Sequence, residues 1–242
     1  MGEVILVASG KGGVGKTVFA ANMGAYLAGE GKRIALVDMN MGLRNLDICL
    51  GLENRIVYDV ADVLMGLCRI KQALVKDKRF AALYLMSAAQ YIDKTPIVPQ
   101  QMKSLYEKLC QAFDYVIVDA PAGIGEAFMA TAHGVDAAVI VTAPEYAAVR
   151  DGEMVSGLLL KAGIKKRFCV VNQVREHLFA SKLVPDLQEI ADTIKLPLAG
   201  VIQYDESIHI SANNGVPAVI KPGTYIQKNF DEIADRIVNG TD

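Results

Sequence analysis

The run Ser9-Gly10-Lys11-Gly12-Gly13-Val14-Gly15-Lys16-Thr17 constrains this chain more than any other. It lies between an apolar stretch, Val4-Ile5-Leu6-Val7-Ala8, and a helix-like pattern from Phe19 to Leu27. A stretch so rich in glycine makes a poor helix or strand, whereas its flanks read as a buried strand and a helix. A strand–loop–helix unit of this kind is the setting in which the pattern G-x-x-x-x-G-K-[ST] acquires meaning. Gly10, Gly12, Gly13 and Gly15, with Val14 among them, let the backbone turn tightly and aim its N–H groups at phosphate oxygens. The helix that starts near Thr17 adds the positive end of its dipole. Lys16 is then placed to reach β- and γ-phosphates, and the Thr17 hydroxyl to bind Mg²⁺. The expectation is a nucleotide site along residues 10–18; a glycine-rich turn without a ligand is the other reading of such a run.

The remainder of the chain alternates apolar runs with amphipathic segments. Strands are expected at Val4–Ser9, Arg33–Asp38, Leu83–Met86, Tyr115–Asp119, Ala137–Thr142, Phe168–Asn172 and Leu198–Ile202. Helices are expected at Thr17–Gly29, Pro99–Phe113, Gly125–His133, Ala147–Ala162, Val184–Ile194 and Tyr225–Val238. This alternation describes βαβ units, hence an α/β fold with a mostly parallel, twisted sheet and helices on both faces. A hydrophobic content of 52% suits a sheet buried on both sides. No long linker or repeat interrupts the pattern, so residues 1–242 are expected to form a single domain. Ligands of such sheets sit at the carboxyl ends of the strands. There Ser9 enters the glycine loop, while Asp38, Asp119 and Asn172 close their strands.

Bulk properties narrow the function. A net charge of −2 provides no general attraction for nucleic acid, and the one dense basic cluster is Lys161, Lys165, Lys166 and Arg167. The start of the chain lacks a signal-peptide pattern, and no apolar stretch approaches the ~20 residues that span a bilayer. The four cysteines and three histidines are scattered without zinc-site spacing, as expected of reduced thiols in a cytoplasmic protein.

Two strands end in carboxylates. Ile34-Ala35-Leu36-Val37-Asp38 and Tyr115-Val116-Ile117-Val118-Asp119 each place an acid where Mg²⁺ could be held directly or through water. A helix cap or turn residue is the alternative role for either one. Asn172 closes another apolar strand, and asparagine is itself a common turn former.

Lys11, directly after the first glycine of the loop, is not required by phosphate binding. Through it the chain resembles the deviant Walker A ATPases, the MinD/ParA family of P-loop NTPases. The likeness extends over about residues 2–238, through Gly42-Leu43-Arg44-Asn45-Leu46-Asp47, Asp119-Ala120-Pro121-Ala122-Gly123-Ile124, Pro144-Glu145, Val149-Arg150-Asp151, Val170-Val171-Asn172 and Asn213-Asn214-Gly215-Val216-Pro217. The resemblance implies an ATPase using ATP/ADP and Mg²⁺ that works as an ATP-dependent dimerising switch. In such a switch Lys11 reaches the partner's phosphates across a homodimer. It implies catalytic or water-positioning roles for Lys11, Lys16, Asp38, Asn40 and Asp119, and a metal site at Thr17, Asp38 and Asp119. It also implies adenine recognition by Asn172, flanked by a loop from Gln203 through Tyr204 and Asp205 to Ile208. The output would be a switch surface at Leu43–Asp47, Gly123–Glu126 and Arg150–Gly152 that receives a regulatory or effector protein. The function implied is placement of a cell-division or other polar machine; the alternative is a partition-type relative that binds DNA nonspecifically.

The chain departs from the family pattern at three places. Asn40 stands where the family carries an aspartate that orients attacking water; an amide cannot accept a proton, so hydrolysis is expected to be slow. Val18 replaces a threonine, removing one possible bond to the α-phosphate. The last helix-like segment is largely acidic on its polar face, which suits packing on the sheet better than docking on anionic lipid. Peripheral membrane association is therefore expected only through a further tail segment.

Overall fold

The computed structural model describes residues 2–90 and 97–240. Eight strands form one sheet: β1 (Glu3–Ala8), β2 (Ile34–Asp38), β3 (Leu74–Lys76), β4 (Leu83–Met86), β5 (Tyr115–Asp119), β6 (Ala137–Thr142), β7 (Lys166–Val174) and β8 (Leu198–Gln203). Their order across the sheet is β3-β4-β2-β5-β1-β6-β7-β8. All neighbours are parallel except β3 and β4, which pair antiparallel at one edge. The expected strands at Leu83–Met86, Tyr115–Asp119 and Ala137–Thr142 coincide with the observed ones; β7 runs past Asn172 to Val174.

Strand pleat explains how one apolar run serves two cores. In β1, Ile5 and Val7 join the cluster containing Phe19, Met23, Phe230 and Ile233. Val4, Leu6 and Ala8 join the opposite one, with Met102, Leu105, Val155 and Ile190. The first face is covered by α1 (Lys16–Gly29) and α11 (Tyr225–Asn239), the second by α5 (Pro99–Leu109), α7 (Tyr146–Lys161) and α9 (Leu187–Ile194). Short helices fill the connections: α2 (Leu46–Cys49), α3 (Val60–Leu64), α4 (Ile70–Ala73), α6 (Glu126–Thr131), α8 (Glu176–Ala180) and α10 (Glu206–Asn213).

The acidic C-terminal segment packs on the sheet, as its pattern predicts. Ile226, Phe230, Ile233, Ala234 and Ile237 of α11 are buried, and the Phe19 and Phe230 rings stack at 5.5 Å. Gly200 of β8 permits this approach, since a Cβ there would lie 2.4 Å from the Ile233 side chain. No helix among the described residues is long and apolar enough to cross a membrane.

Candidate functional site

The glycine loop joins the end of β1 to α1 in the centre of the sheet. Gly13 and Gly15 adopt positive φ (82° and 89°), which explains glycine at both positions. Gly10 is required for a different reason: a Cβ there would lie 2.4 Å from the Cβ and carbonyl carbon of Asp151 in α7. Gly12 faces open space. Val14 is buried, and its carbonyl accepts a bond from Asn172 Nδ2 at 2.8 Å. Val18 packs against the core and shares a cavity of about 20 Å³ with Asn172, Ile202 and Ile208.

At the head of α1 the sequence-predicted residues converge. Lys16 Nζ donates to Asp119 Oδ1 at 2.6 Å, and Thr17 Oγ1 donates to Asp119 Oδ2 at 2.6 Å. Asp38 and Asp119 end adjacent strands in register with each other, and both are fully buried. Asn40 Nδ2 bridges them, donating to Asp119 Oδ2 at 2.7 Å and to Asp38 Oδ1 at 3.3 Å. The backbone N–H groups of Asn40 (2.8 Å) and Leu46 (3.2 Å) donate to Asp38 as well. Burial, reinforced by the charge of Asp119, pushes the Asp38 carboxyl up to about 6 against the pull of those two N–H groups. Asp119 is raised in the same way by burial, and Lys16, Thr17 and Asn40 pull it back. Two buried acids answered by one lysine make a strongly electronegative point beside a phosphate loop. That donor set, two carboxylates and a hydroxyl, fits the oxygen preference of Mg²⁺.

Lys11 lies apart from this cluster, its ammonium paired with the Glu145 carboxylate at the start of α7, both side chains partly exposed. The other flank of the loop lies at the ends of β7 and β8. Between Val171 and Val174, β7 carries an extra residue relative to β8, a bulge that turns both Asn172 and Gln173 toward the loop. Gln173, at φ 59°, donates from Nε2 to the Gly13 carbonyl at 2.9 Å. Sequence reasoning missed Gln173, because nothing in the local pattern announces a bulge or a positive φ. It also missed Arg175, whose guanidinium sits 3.8 Å above the Tyr204 ring.

The expected loop from Gln203 to Ile208 is corrected by the structure. Gln203 ends β8 and donates to Glu176 at 2.8 Å, whereas Ile208 lies within α10. Asp205 caps that helix, accepting from Ser207 N at 2.6 Å and from the Tyr225 hydroxyl. Its carboxylate thus satisfies a free N–H at the head of α10. Tyr204 keeps a partly exposed ring at the site.

Comparison with known proteins identifies the family. The family model described as ParA, NUBPL iron-transfer P-loop NTPase, matches residues 1–238. The septum site-determining protein MinD of Bacillus subtilis is 46% identical over 240 residues, covering 98% of this chain and 90% of that protein. A MinC:MinD cell division protein complex from Aquifex aeolicus superposes with a TM-score of 0.89 at 36% identity, covering 99% of this chain and 97% of that one. The septum site-determining protein MinD of Pyrococcus horikoshii, complexed with Mg-ADP, gives a TM-score of 0.86 at 26% identity, covering 98% and 96%. Cys49, Cys68, Cys110 and Cys169 are free thiols far apart in sequence. The chain belongs to the ParA family of P-loop NTPases and is a MinD-like ATPase within it.

Proposed function

We propose that this chain is an ATP-controlled dimerising switch that takes part in placing the cell-division site. The observation that carries the reading is the buried constellation of Lys16, Thr17, Asp38, Asn40 and Asp119 under a phosphate loop, in a chain similar to MinD from end to end. Loop N–H groups and Lys16 hold the β- and γ-phosphates, and Asn172 reads adenine with its amide. Binding frees Lys16 from Asp119, so the ion pair exchanges one anion for another. Thr17, Asp38 and Asp119 would hold Mg²⁺, directly or through water, and the bound ion supplies charge neutralisation for the phosphates. Burial makes both carboxylates reluctant to remain charged, so a cation brought by the nucleotide meets a ready demand.

Asn40 sets the timing. Its amide is donated to Asp119 and Asp38 and cannot accept the proton of an attacking water. Hydrolysis to ADP and phosphate is accordingly slow, and the ATP state is long-lived. Lys11 contacts the partner's phosphates in the homodimer; its pairing with Glu145 is solvent-exposed, so releasing it costs about 1 kcal/mol or less. The segments Leu43–Asp47, Gly123–Glu126 and Arg150–Gly152 border the phosphate site, and Leu43 and Ile124 present exposed apolar side chains there. We assign this surface to a regulatory protein, by analogy with the MinC partner of the Aquifex relative. The partition-type alternative is less well supported. Lys166 pairs with Glu3 at 2.8 Å and Arg167 donates to the Ser156 carbonyl at 2.6 Å, which leaves Lys161 and Lys165 to face DNA.

Light scattering after size exclusion, with MgATP and with MgADP, tests the switch. A species near twice 26.1 kDa that forms with MgATP alone and persists for an hour is expected. A monomer with ATP demonstrably bound would remove the trans role of Lys11.

A further inference from the structure

The metal side and the base side of the site are joined at a place that no nucleotide-contacting residue occupies. Leu46, whose N–H holds Asp38 Oδ2 at 3.2 Å, opens α2, and α2 leads directly to Leu50 and Gly51. Tyr204 and Asp205 lead into α10, which ends just before Gly215. Gly51 and Gly215 touch backbone to backbone at positive φ (62° and 66°), and a Cβ on Gly215 would lie 2.4 Å from Gly51 Cα. Arg79, in the turn between β3 and β4, pins this joint. Its Nη1 donates to the Gly215 carbonyl at 2.7 Å and its Nη2 to the Leu50 carbonyl at 2.6 Å. Nε and Nη2 also grip the buried Asp77 carboxylate, at 3.0 and 2.6 Å. A planar fork of five donors can satisfy two carbonyls and a carboxylate together, and an ammonium group cannot reproduce that span. Val219 N, four residues beyond Gly215, separately donates to Asn22 Oδ1 at 3.1 Å and ties the chain after α10 to α1.

We propose that Arg79 is a positioning residue that makes α2 and α10 one body. A base held between Asn172 and Tyr204 then firms the backbone that grips Asp38. The inference rests on the adenine-nucleotide reading above. Energetic coupling between two sites is reciprocal, so whatever the base does to α2, the ordering of α2 by the phosphates and metal returns to the base. Close-packed backbone and charge-assisted hydrogen bonds are the kind of contiguous contact that carries it.

The test is amide hydrogen exchange over residues 46–52 of the full chain in Mg²⁺, with saturating ADP or saturating inorganic pyrophosphate. ADP is expected to slow these amides about tenfold more than pyrophosphate does. Arg79→Ala should abolish that difference. Arg79→Lys, which keeps a charge against Asp77 but cannot bridge both carbonyls, should abolish it too, and it carries the test if the alanine variant fails to fold. Arg55→Ala is the control, because Arg55 bonds the Lys76 carbonyl at 2.8 Å at the same sheet edge and makes no bond to α10. Persistence of the ADP-specific protection in both Arg79 variants, or its loss in Arg55→Ala as well, overturns the proposal. Tighter binding of ADP than of pyrophosphate without extra protection in the unmodified protein overturns the coupling alone. Equal affinity for the two ligands removes the base site and the coupling with it.

Discussion

The flank of the candidate site proposed for phosphate and the flank proposed for the base are built on opposite principles. At the ends of β2 and β5, five polar side chains are packed against one another, with Asp38 and Asp119 fully buried and their charge opposed by Lys16. At the ends of β7 and β8, Asn172, Gln173, Arg175 and Tyr204 are neutral or solvent-facing, and they are held by hydrogen bonds that the two side-chain amides donate to loop carbonyls and by a cation–π contact. The first side is preassembled and electrostatically tense; the second is adaptable and nearly free of buried charge. Substitutions on the phosphate side should therefore disturb stability and function together. Those on the base side should change specificity with little effect on the fold.

The sharpest way to probe that contrast is Asn40→Asp. Turnover should rise by about 10²–10⁴, measured as phosphate release, because a group able to orient water and accept its proton is restored. The nucleotide-free protein should lose stability at the same time, since a third carboxylate would replace the amide donors that now bridge Asp119 and Asp38. An unchanged rate would take Asn40 out of the mechanism. Lys16→Ala comes next in size. It leaves buried Asp119 uncompensated, and breaking a buried pair in this way costs roughly 3–5 kcal/mol. Denaturant unfolding should show the loss, and ADP affinity should fall with it.

A smaller effect divides the glycines of the loop. Gly10→Ala must displace α7 at Asp151 and should cost about 1–3 kcal/mol, whereas Gly12→Ala meets open space and should stay within about 0.5 kcal/mol. Equal losses for the two would mean that the loop relaxes as a whole. On the base side, Asn172→Ala should weaken ADP binding by about tenfold and leave pyrophosphate binding unchanged, at the level of one or two hydrogen bonds. Loss of both affinities together would mean that Asn172 acts by holding the Val14 carbonyl.

The smallest effect lies outside the site and calibrates it. Asp114 is held down to about 2 by Arg33, first through their side-chain bonds. Its folded-state value lies below the ordinary 3.8, so its contribution to stability is complete above about pH 3.8 and disappears as the pH falls toward 2. Arg33→Ala should therefore lower the melting temperature slightly at every pH above about 4 and leave it unchanged near pH 2, where the pair no longer contributes. A large change at pH 7 would contradict the view that an exposed pair of this kind contributes little.

Legibility in the sequence followed the length and burial of each element. β4, β5 and β6 were readable to the residue because each is an apolar run between turn residues, and the loop at residues 10–17 because glycine spacing reports backbone geometry directly. The helix expected from Val184 starts at Leu187, since Asp186 caps it in a reciprocal box with Glu189, a signal present in the sequence but passed over. β3, α2, α3, α4 and α8 are each too short for a period to show, and α10, though as long as α9, buries no residue and so carries no clear apolar stripe.

Strand patterning and glycine placement thus determined the fold class from the sequence alone, and the terminal carboxylates announced the grouping of Asp38 and Asp119 with Lys16 and Thr17, because those features depend on local geometry and on burial. Only the tertiary structure decided the order of the strands, the bulge that turns Gln173 to the loop, the stacking of Arg175 on Tyr204 and the Arg79 clamp across Leu50 and Gly215. Each of these joins residues distant in the chain through register or backbone contact, and no one-dimensional pattern encodes which carbonyl a guanidinium will find.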